Sequence, residues 1–375
     1  MAPRRSVISP ERRRQKLVTC KGGTTGRVCI CGSSAIEFWR LWRLFGHAVF
    51  RAWGLRPLPE FARNWRSCIV AEVPPLFAPA SQEDLEALTS PDDIFLSTPV
   101  DLFVSAAEKL GYSSLRATRP IPTDLPPGSL VQVCADLYVA SPPYALVEST
   151  AASSRPESLR LIAEFCGSYA LDPGRPAGFA EAVPLATISE LRGYCRQAHA
   201  CKHVRGLRHM EANLACAIEG CASPMEAAMV TLLCAPGREG GYGFRLPVMN
   251  LRAMGDARIM DRSYYKGDAV WKEAGVILEY DSKAFHNNRE SDVHDNVRSM
   301  ALELNGHHVM QVRTAMLMRP EVFHKVALGL AAYLGRRLQP ERFTNAWWER
   351  CRNLRAEMLD YPTRWHRLMQ AQKSA

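Results

Sequence analysis

The sequence predicts an α/β chain, and three observations carry that prediction. From Ile94 onward, short apolar runs rich in β-branched residues alternate with stretches of helical periodicity. Two of these runs, Gly267–Trp271 and Val276–Tyr280, flank the polar connection Lys272-Glu273-Ala274-Gly275 and read as a β-hairpin. Ahead of them, Ser223-Pro224-Met225-Glu226 has the spacing of a capping box, with proline at the first helical position of an apolar helix.

The 375 residues leave room for two or three domains, and a content of 47% hydrophobic and 23% charged residues argues against wholesale disorder. No apolar run approaches the roughly eighteen residues a membrane span needs, and the arginine-rich start lacks the apolar stretch of a signal peptide. A soluble, cytoplasmic protein without a membrane partner is expected. The net charge of +9 favours contact with a polyanion. The 12 cysteines are scattered through the chain and read as buried thiols. Neither Cys29-x-Cys31 nor the group Cys195, His199, Cys201 and His203 has the spacing of a standard zinc module.

In chain order, residues 1–26 read as a flexible basic arm. A short apolar run then ends at Gly32, and Ser33 or Ser34 is placed to cap a helix through Trp42, with Glu37 at capping-box distance from Ser34. The proline-rich text from Leu55 to Pro91 predicts loops with one helix, Gln82–Leu88. Strands are expected at Phe95–Val100, Leu130–Cys134 and Leu137–Ala140, and helices at Leu102–Leu110 and Ser141–Thr150. Helices Arg155–Cys166 and Ser189–Ile218 follow, separated by a loop over Leu171–Pro184. The second carries Arg192, Arg196, Lys202, Arg205 and Arg208. It reads equally as a face that tracks a nucleic-acid backbone and as a solvated connector.

In the hairpin, a four-residue loop pairs Trp271 with Val276 and sets Asp268 opposite Glu279, with about 5.5 Å between backbones. Alternation puts Glu279, Asp281 and Lys283 on one face and Val276, Leu278 and Tyr280 on the other, toward a core. Like charges across a sheet repel, so Asp268, Glu279 and Asp281 need a compensating cation. Two readings stand: a metal, for which hard oxygen ligands suit Mg2+ or Mn2+, or neutralisation by Lys266 and Lys283. Glu226 also has two readings, as the acid that closes the capping box and as a member of this acidic site. His286 follows the acidic strand and is a candidate for proton transfer. A helix over Ser291–Asn305 aligns Asp295, Arg298 and Leu302, so that Arg298 either pairs with Asp295 or clamps a phosphate. A strand over His308–Thr314, a helix over Pro320–Leu334 and a basic extension with Trp347, Trp348 and Trp365 complete the chain.

The order Gly267-Asp268, ten residues, Glu279-Tyr280-Asp281-Ser282-Lys283-Ala284-Phe285-His286, then Asp295-x-x-Arg298 and Leu302-x-x-x-Gly306-x-x-Val309, resembles the endonuclease domains related to very-short-patch repair endonucleases, within the PD-(D/E)XK nuclease superfamily. Cys221–Asn250 is similar to the leading helix and linker of such domains in actinobacterial proteins, and the likeness covers about Ala222–Gly335. It implies a restriction-endonuclease-like domain, a mixed sheet flanked by helices, that hydrolyses DNA with Mg2+ or Mn2+. By position Asp268 matches the first acidic ligand, Glu279 the second and Glu226 the acid on the leading helix. Gly267 stands where the superfamily's name has proline. Asp281 stands where it has lysine, which leaves Lys283, His286 and Arg298 as candidates for the lysine's work. The run Leu125–Glu148 resembles the middle region of abortive-infection antitoxin-type proteins, where a strand delivers the chain to a Ser-Pro-capped helix. The expected organisation is therefore an arm at 1–26, an antitoxin-like region at 27–220, the endonuclease-like domain at 221–335 and an extension at 336–375. The alternative is a non-catalytic DNA-binding regulator that retains a nuclease fold.

Overall fold

A computed structural model describes residues 27–74, 77–78, 80–89, 94–105, 111–253, 265–281, 297 and 300–360. The chain is mixed α/β and divides into two compact units, Met1–Ala145 with Gln197–Val204, and Leu146–Arg196 with Arg205–Ala375. No helix among the described residues is long and apolar enough to cross a membrane.

The first unit is built on a five-stranded sheet of β1 (Val28–Ile30), β2 (Val100–Val104), β3 (Arg116–Pro120), β4 (Leu130–Gln132) and β5 (Leu137–Ala140), in the order β3-β2-β1-β5-β4. The helix Gly32–Phe45 brings Phe38 and Trp39 into an aromatic core with Phe50 and Phe61, and the Trp39 indole donates to Ala140 O at 2.8 Å. Two expectations change here. The predicted strand Phe95–Val100 and the start of the predicted helix Leu102–Leu110 give way to β2, whose Val100, Leu102, Phe103 and Val104 are all buried; residues 106–110 lie outside the described residues. A strand enclosed on both faces shows no alternation, so its apolar run also satisfies a helical pattern. The capping box at Ser34 does not form either. Cys31 is the N-cap residue, Ser33 donates to the Asp101 carboxylate at 3.0 Å from its amide and 2.5 Å from its hydroxyl, and Ser34 Oγ accepts the Asp101 N–H at 2.9 Å. Glu37 instead accepts hydrogen bonds from Ser97, while burial pushes its carboxyl above the usual range.

In the second unit, the expected helix Ser189–Ile218 is two helices, Ile188–Ala198 and Leu207–Leu214. Gly206 breaks them with φ +91, and a Cβ there would lie 2.0 Å from Val147 O, so only glycine fits. The loop expected over Leu171–Pro184 contains a hairpin of β6 (Tyr169–Leu171) and β7 (Phe179–Glu181). An Asx turn closes it, with Gly174 N–H donating to Asp172 Oδ1 at 3.0 Å.

The remainder of this unit runs helix Pro224–Cys234, then β8 (Val248–Ala253), β9 (Tyr265–Trp271), β10 (Val276–Asp281), helical residues 300–304, β11 (His308–Arg313) and helix Pro320–Tyr333. The sheet order is β11-β10-β9-β8, with β10 and β11 parallel and the other pairs antiparallel. The predicted hairpin is present in the predicted register, Trp271 opposite Val276, with Gly275 at φ +63 closing the connection. Its two faces enter separate clusters. Ala269, Trp271, Val276 and Leu278 join a large core with the Pro224–Cys234 and Pro320–Tyr333 helices, and Val270 and Ile277 pack with Leu302. A last helix, Asn345–Leu359, adds Trp347, Cys351 and Leu354 to the large core.

Gly267 lies against the smaller cluster. A Cβ there would approach Ile277 Cγ2 to 2.7 Å and Val270 Cγ2 to 2.9 Å. Gly267→Ala should therefore destabilise the second unit by about 1–3 kcal/mol, the usual cost of overpacking. A urea midpoint equal to that of the unaltered protein would show that the sheet has slack at this position.

Candidate active site

The hairpin core ends where the acids begin. Val276, Ile277 and Leu278 are buried, whereas Asp268, Glu279, Tyr280 and Asp281 are half-buried. The β9–β10 ladder stops at Ala269 opposite Leu278, one pair short of Asp268 and Glu279. In place of that pair, Asp268 Oδ2 accepts the Tyr280 N–H at 2.8 Å. The expected face-to-face carboxylate pair is thus replaced by a carboxylate turned along the sheet onto the neighbouring backbone.

The cause lies on β8. Met249 pairs with Ala269 and Leu251 with Gly267, which leaves Asn250 at the skipped position opposite Asp268. Asn250 has φ 51, in the left-handed region that asparagine tolerates better than most residues. Alternation fails there. Met249 and Ala269 belong to the large core, whereas Leu251 packs with Val270 and Ile277, the same side chains that crowd Gly267. Both strands change faces at one point, and Asp268 sits on it.

Asn250 also ties this point to the leading helix. Its amide donates to Gly220 O at 2.7 Å and to Glu226 Oε2 at 3.0 Å. Glu226 is 7% exposed and accepts further bonds from Ala222 N–H at 2.9 Å and from Ser223 Oγ at 2.9 Å. Ser223 Oγ in turn accepts the Glu226 N–H at 3.1 Å. Ser223 caps the helix as predicted, while the Glu226 carboxylate takes the Ala222 amide and the Ser223 hydroxyl in place of the Ser223 amide that a capping box uses. Cys221 lies beside this cluster, fully buried, and burial with the nearby Glu226, Cys166 and Asp268 holds its thiol far above the ordinary range. It is neutral and unreactive.

At the carboxyl ends of the parallel strands, Asp281 stands opposite Arg313 in register and pairs with it at 3.6 Å, and Glu279 stands opposite Gln311. The Tyr280 hydroxyl, on the core side, is 2.7 Å from Thr314 Oγ1, and burial raises its pKa. Lys266 is exposed on β9 beside Arg252 of β8. Lys283, His286 and Arg298 lie outside the described residues, as does Trp365. Lys202 and Arg205 do not share a helix face: both fall between the two helices, and the Lys202 amide donates to Asp124 at 2.7 Å in the first unit.

No model of a known family, no curated protein and no solved structure matches this chain.

What the arrangement can hold follows from its donors. Among the described residues no three His, Cys, Asp or Glu side chains converge in a way that could hold a metal ion. A closed protein cage is therefore a poor fit. Magnesium, however, keeps several waters and is commonly held through one or two carboxylates and phosphate oxygens. Asp268 and Glu279, at the boundary between buried sheet and accessible surface, fit that lighter requirement.

The described cysteines are free thiols, all buried except Cys201 and Cys216. Arg119 Nη2 lies 3.3 Å from Cys31 Sγ, and burial pushes the Cys195 thiol up to about 11.

Sequence reasoning missed Asn250, whose role comes from its backbone conformation as much as from its amide. Asn250→Ala loses the amide's bonds and adds the left-handed penalty of about 1–2 kcal/mol, whereas Asn250→Gly loses only the bonds. The glycine variant should therefore be the more stable by about 1 kcal/mol in urea unfolding. Equal stability of the two would remove the backbone part of this account.

Proposed function

We propose that this chain is a metal-dependent endonuclease that hydrolyses DNA phosphodiester bonds, with a restriction-endonuclease-like domain at about 221–335. The observation that carries the reading is the placement of Asp268 and Glu279 at the released end of the hairpin, half-buried where the core stops. Three features support it. The mixed sheet has the Pro224–Cys234 and Pro320–Tyr333 helices against one face and Leu302 of helical residues 300–304 against the other, as the resemblance implies. The acids lie toward the carboxyl end of two parallel strands, where open α/β sheets commonly bind ligands. Lys266, Arg252 and Arg313 provide positive charge on the same sheet for a phosphate backbone.

In this mechanism Asp268 and Glu279 hold Mg2+ or Mn2+, with Asp281 nearby. The ion, when bound, supplies a water of lowered pKa and stabilises charge growing on the scissile phosphate. Asp268 keeps its orientation through the Tyr280 amide. Arg313 presents a guanidinium at the strand end, 67% exposed, to a phosphate oxygen. Lys283, His286 and Arg298 are the remaining candidates for charge stabilisation and proton transfer.

A second reading has an observation of its own. Asp268 is bonded to a backbone amide, Asp281 is paired with Arg313, and no three-ligand group forms among the described residues. These satisfied acids also suit a DNA-binding regulator that does not turn over.

One experiment separates the two. Unaltered protein, Asp268→Asn and Glu279→Gln are titrated with Mg2+ and Mn2+ by calorimetry and assayed on supercoiled and single-stranded DNA. The asparagine of the first variant keeps an oxygen for the Tyr280 amide, so that variant should fold. Cleavage by the unaltered protein that falls at least about a hundredfold in both variants, together with the heat of metal binding, is the expected outcome. DNA binding that persists in EDTA, without cleavage in either metal, would establish the regulator instead.

A further inference from the structure

The second unit holds another group of polar side chains, remote in sequence from the hairpin acids. Glu321, near the start of the Pro320–Tyr333 helix, and Asn345, Trp348 and Arg352 of the Asn345–Leu359 helix line a cleft of about 290 Å3. The last three are spaced by three and four residues and so share one helix face. Among the described residues, none of the four side chains is hydrogen-bonded or ion-paired. The cleft thus presents one carboxylate, one amide, one guanidinium and one indole.

The indole is held from behind. Trp348 meets Trp347 edge-on at 5.0 Å and lies 5.3 Å from His324. Trp347 is itself buried against Phe343 at 4.7 Å and Tyr242 at 5.2 Å. The rings fix the cleft wall before any ligand arrives, which lowers the ordering cost of stacking on it. Burial lowers the His324 pKa, and its Nδ1 is 3.3 Å from the Tyr242 hydroxyl.

Size and chemistry together narrow the ligand. The volume lies at the lower end of small-molecule sites, about 300–1,000 Å3, so it suits one planar ring system with a short substituent. An indole wall stacks such a ring whatever its sequence identity. An ionised carboxylate only accepts hydrogen bonds, so the ring edge facing Glu321 must donate. A guanidinium selects phosphate or carboxylate. A heterocycle with N–H donors on its edge, joined to an anion, meets all three demands.

We propose that this cleft binds an unpaired nucleotide of the nucleic acid, with the base on Trp348, its donor edge at Glu321 and Asn345, and its phosphate at Arg352. Guanine is preferred, because its adjacent N1–H and N2–H2 groups give one carboxylate two bonds where adenine and cytosine offer only an amino group. The proposal rests on the reading of this chain as a nucleic-acid enzyme and adds to it a recognition site for single-stranded or flipped bases.

The test uses full-length protein in EDTA with GMP, AMP, CMP and UMP, followed by calorimetry and by tryptophan fluorescence. Saturable binding is expected, tightest for GMP. Glu321→Gln should weaken GMP at least about tenfold, the loss of one charge-assisted bond, and leave AMP little changed. Arg352→Ala should weaken all four nucleotides, and Trp348→Phe should remove most of the fluorescence change. Glu321 and Arg352 are exposed, so these two variants should melt as the unaltered protein does. No saturable binding by any nucleotide, or equal affinity in Glu321→Gln and Arg352→Ala, would overturn the proposal. Repeating the titration with Asp268→Asn keeps the two ideas apart. In that variant GMP binding should persist while cleavage is lost; in the unaltered protein, GMP binding without DNA cleavage retains the cleft and discards the nuclease, and cleavage without GMP binding does the reverse.

Discussion

The constraint on which the second unit depends is the pairing of Trp271 with Val276. Both faces of the hairpin are buried, Ala269, Trp271, Val276 and Leu278 in the large core and Val270 and Ile277 against Leu302. A slip of one residue would exchange the two sets and carry Glu279 into the apolar interior, since side-chain direction alternates strictly along a strand. Each large apolar side chain so misplaced forfeits about 1.5–3 kcal/mol of burial, and an unpaired buried carboxylate costs more still. Packing several residues away thus sets the acids just beyond the edge of the core, where they reach solvent without entering it.

The local departure from that regular pattern is confined to one point. Asn250 in the left-handed region and Asp268 opposite it let both strands change faces; Asp268 then accepts the Tyr280 amide that the interrupted ladder leaves over, and Asn250 donates to the Gly220 carbonyl ahead of the leading helix. Glu226 belongs to the same arrangement. Its two oxygens accept from Ala222, Ser223 and Asn250, which binds the start of the leading helix to the edge strand. A carboxylate committed to three donors is stabilised where it is, and its first role is to hold β8 in place. Cys221 beside it stays protonated because a thiolate would be buried next to two carboxylates.

Much of this was legible because it is local. The helix cap at Ser223, the hairpin over residues 267–280 and the helix from Pro320 each rest on a few adjacent residues. The elements that were misread depend on partners distant in the chain. Ser33 and Ser34 face Asp101, and Val100–Val104 is a strand because two neighbours enclose it. In the sequence, the basic run from Ser189 to Ile218 carries little warning that Gly206 must approach the Val147 carbonyl and break it. For the site, residue types and register at Trp271 and Val276 could be read, whereas the meeting of Asp268 with the Tyr280 amide could not. That contact needs the irregularity at Asn250, which pairing rules applied to one hairpin do not contain.

The ion pair at the end of β10 shows how weak coupling can be useful there. Asp281 and Arg313 are 3.6 Å apart, with the arginine 67% exposed and the carboxylate 26% exposed. Exposed pairs of this kind contribute only about 0–1 kcal/mol, because water competes for both partners and ordering two side chains costs entropy. By itself the pair therefore restrains neither group firmly. A phosphate entering the strand end can take the guanidinium in a charge-assisted, bidentate contact worth more than the one it replaces. Arg313 comes from the neighbouring parallel strand and so reaches the position by tertiary pairing, not by the local spacing in which a lysine would follow Glu279. In the nuclease reading proposed above, the positive charge missing from the hairpin sequence would be supplied across the sheet.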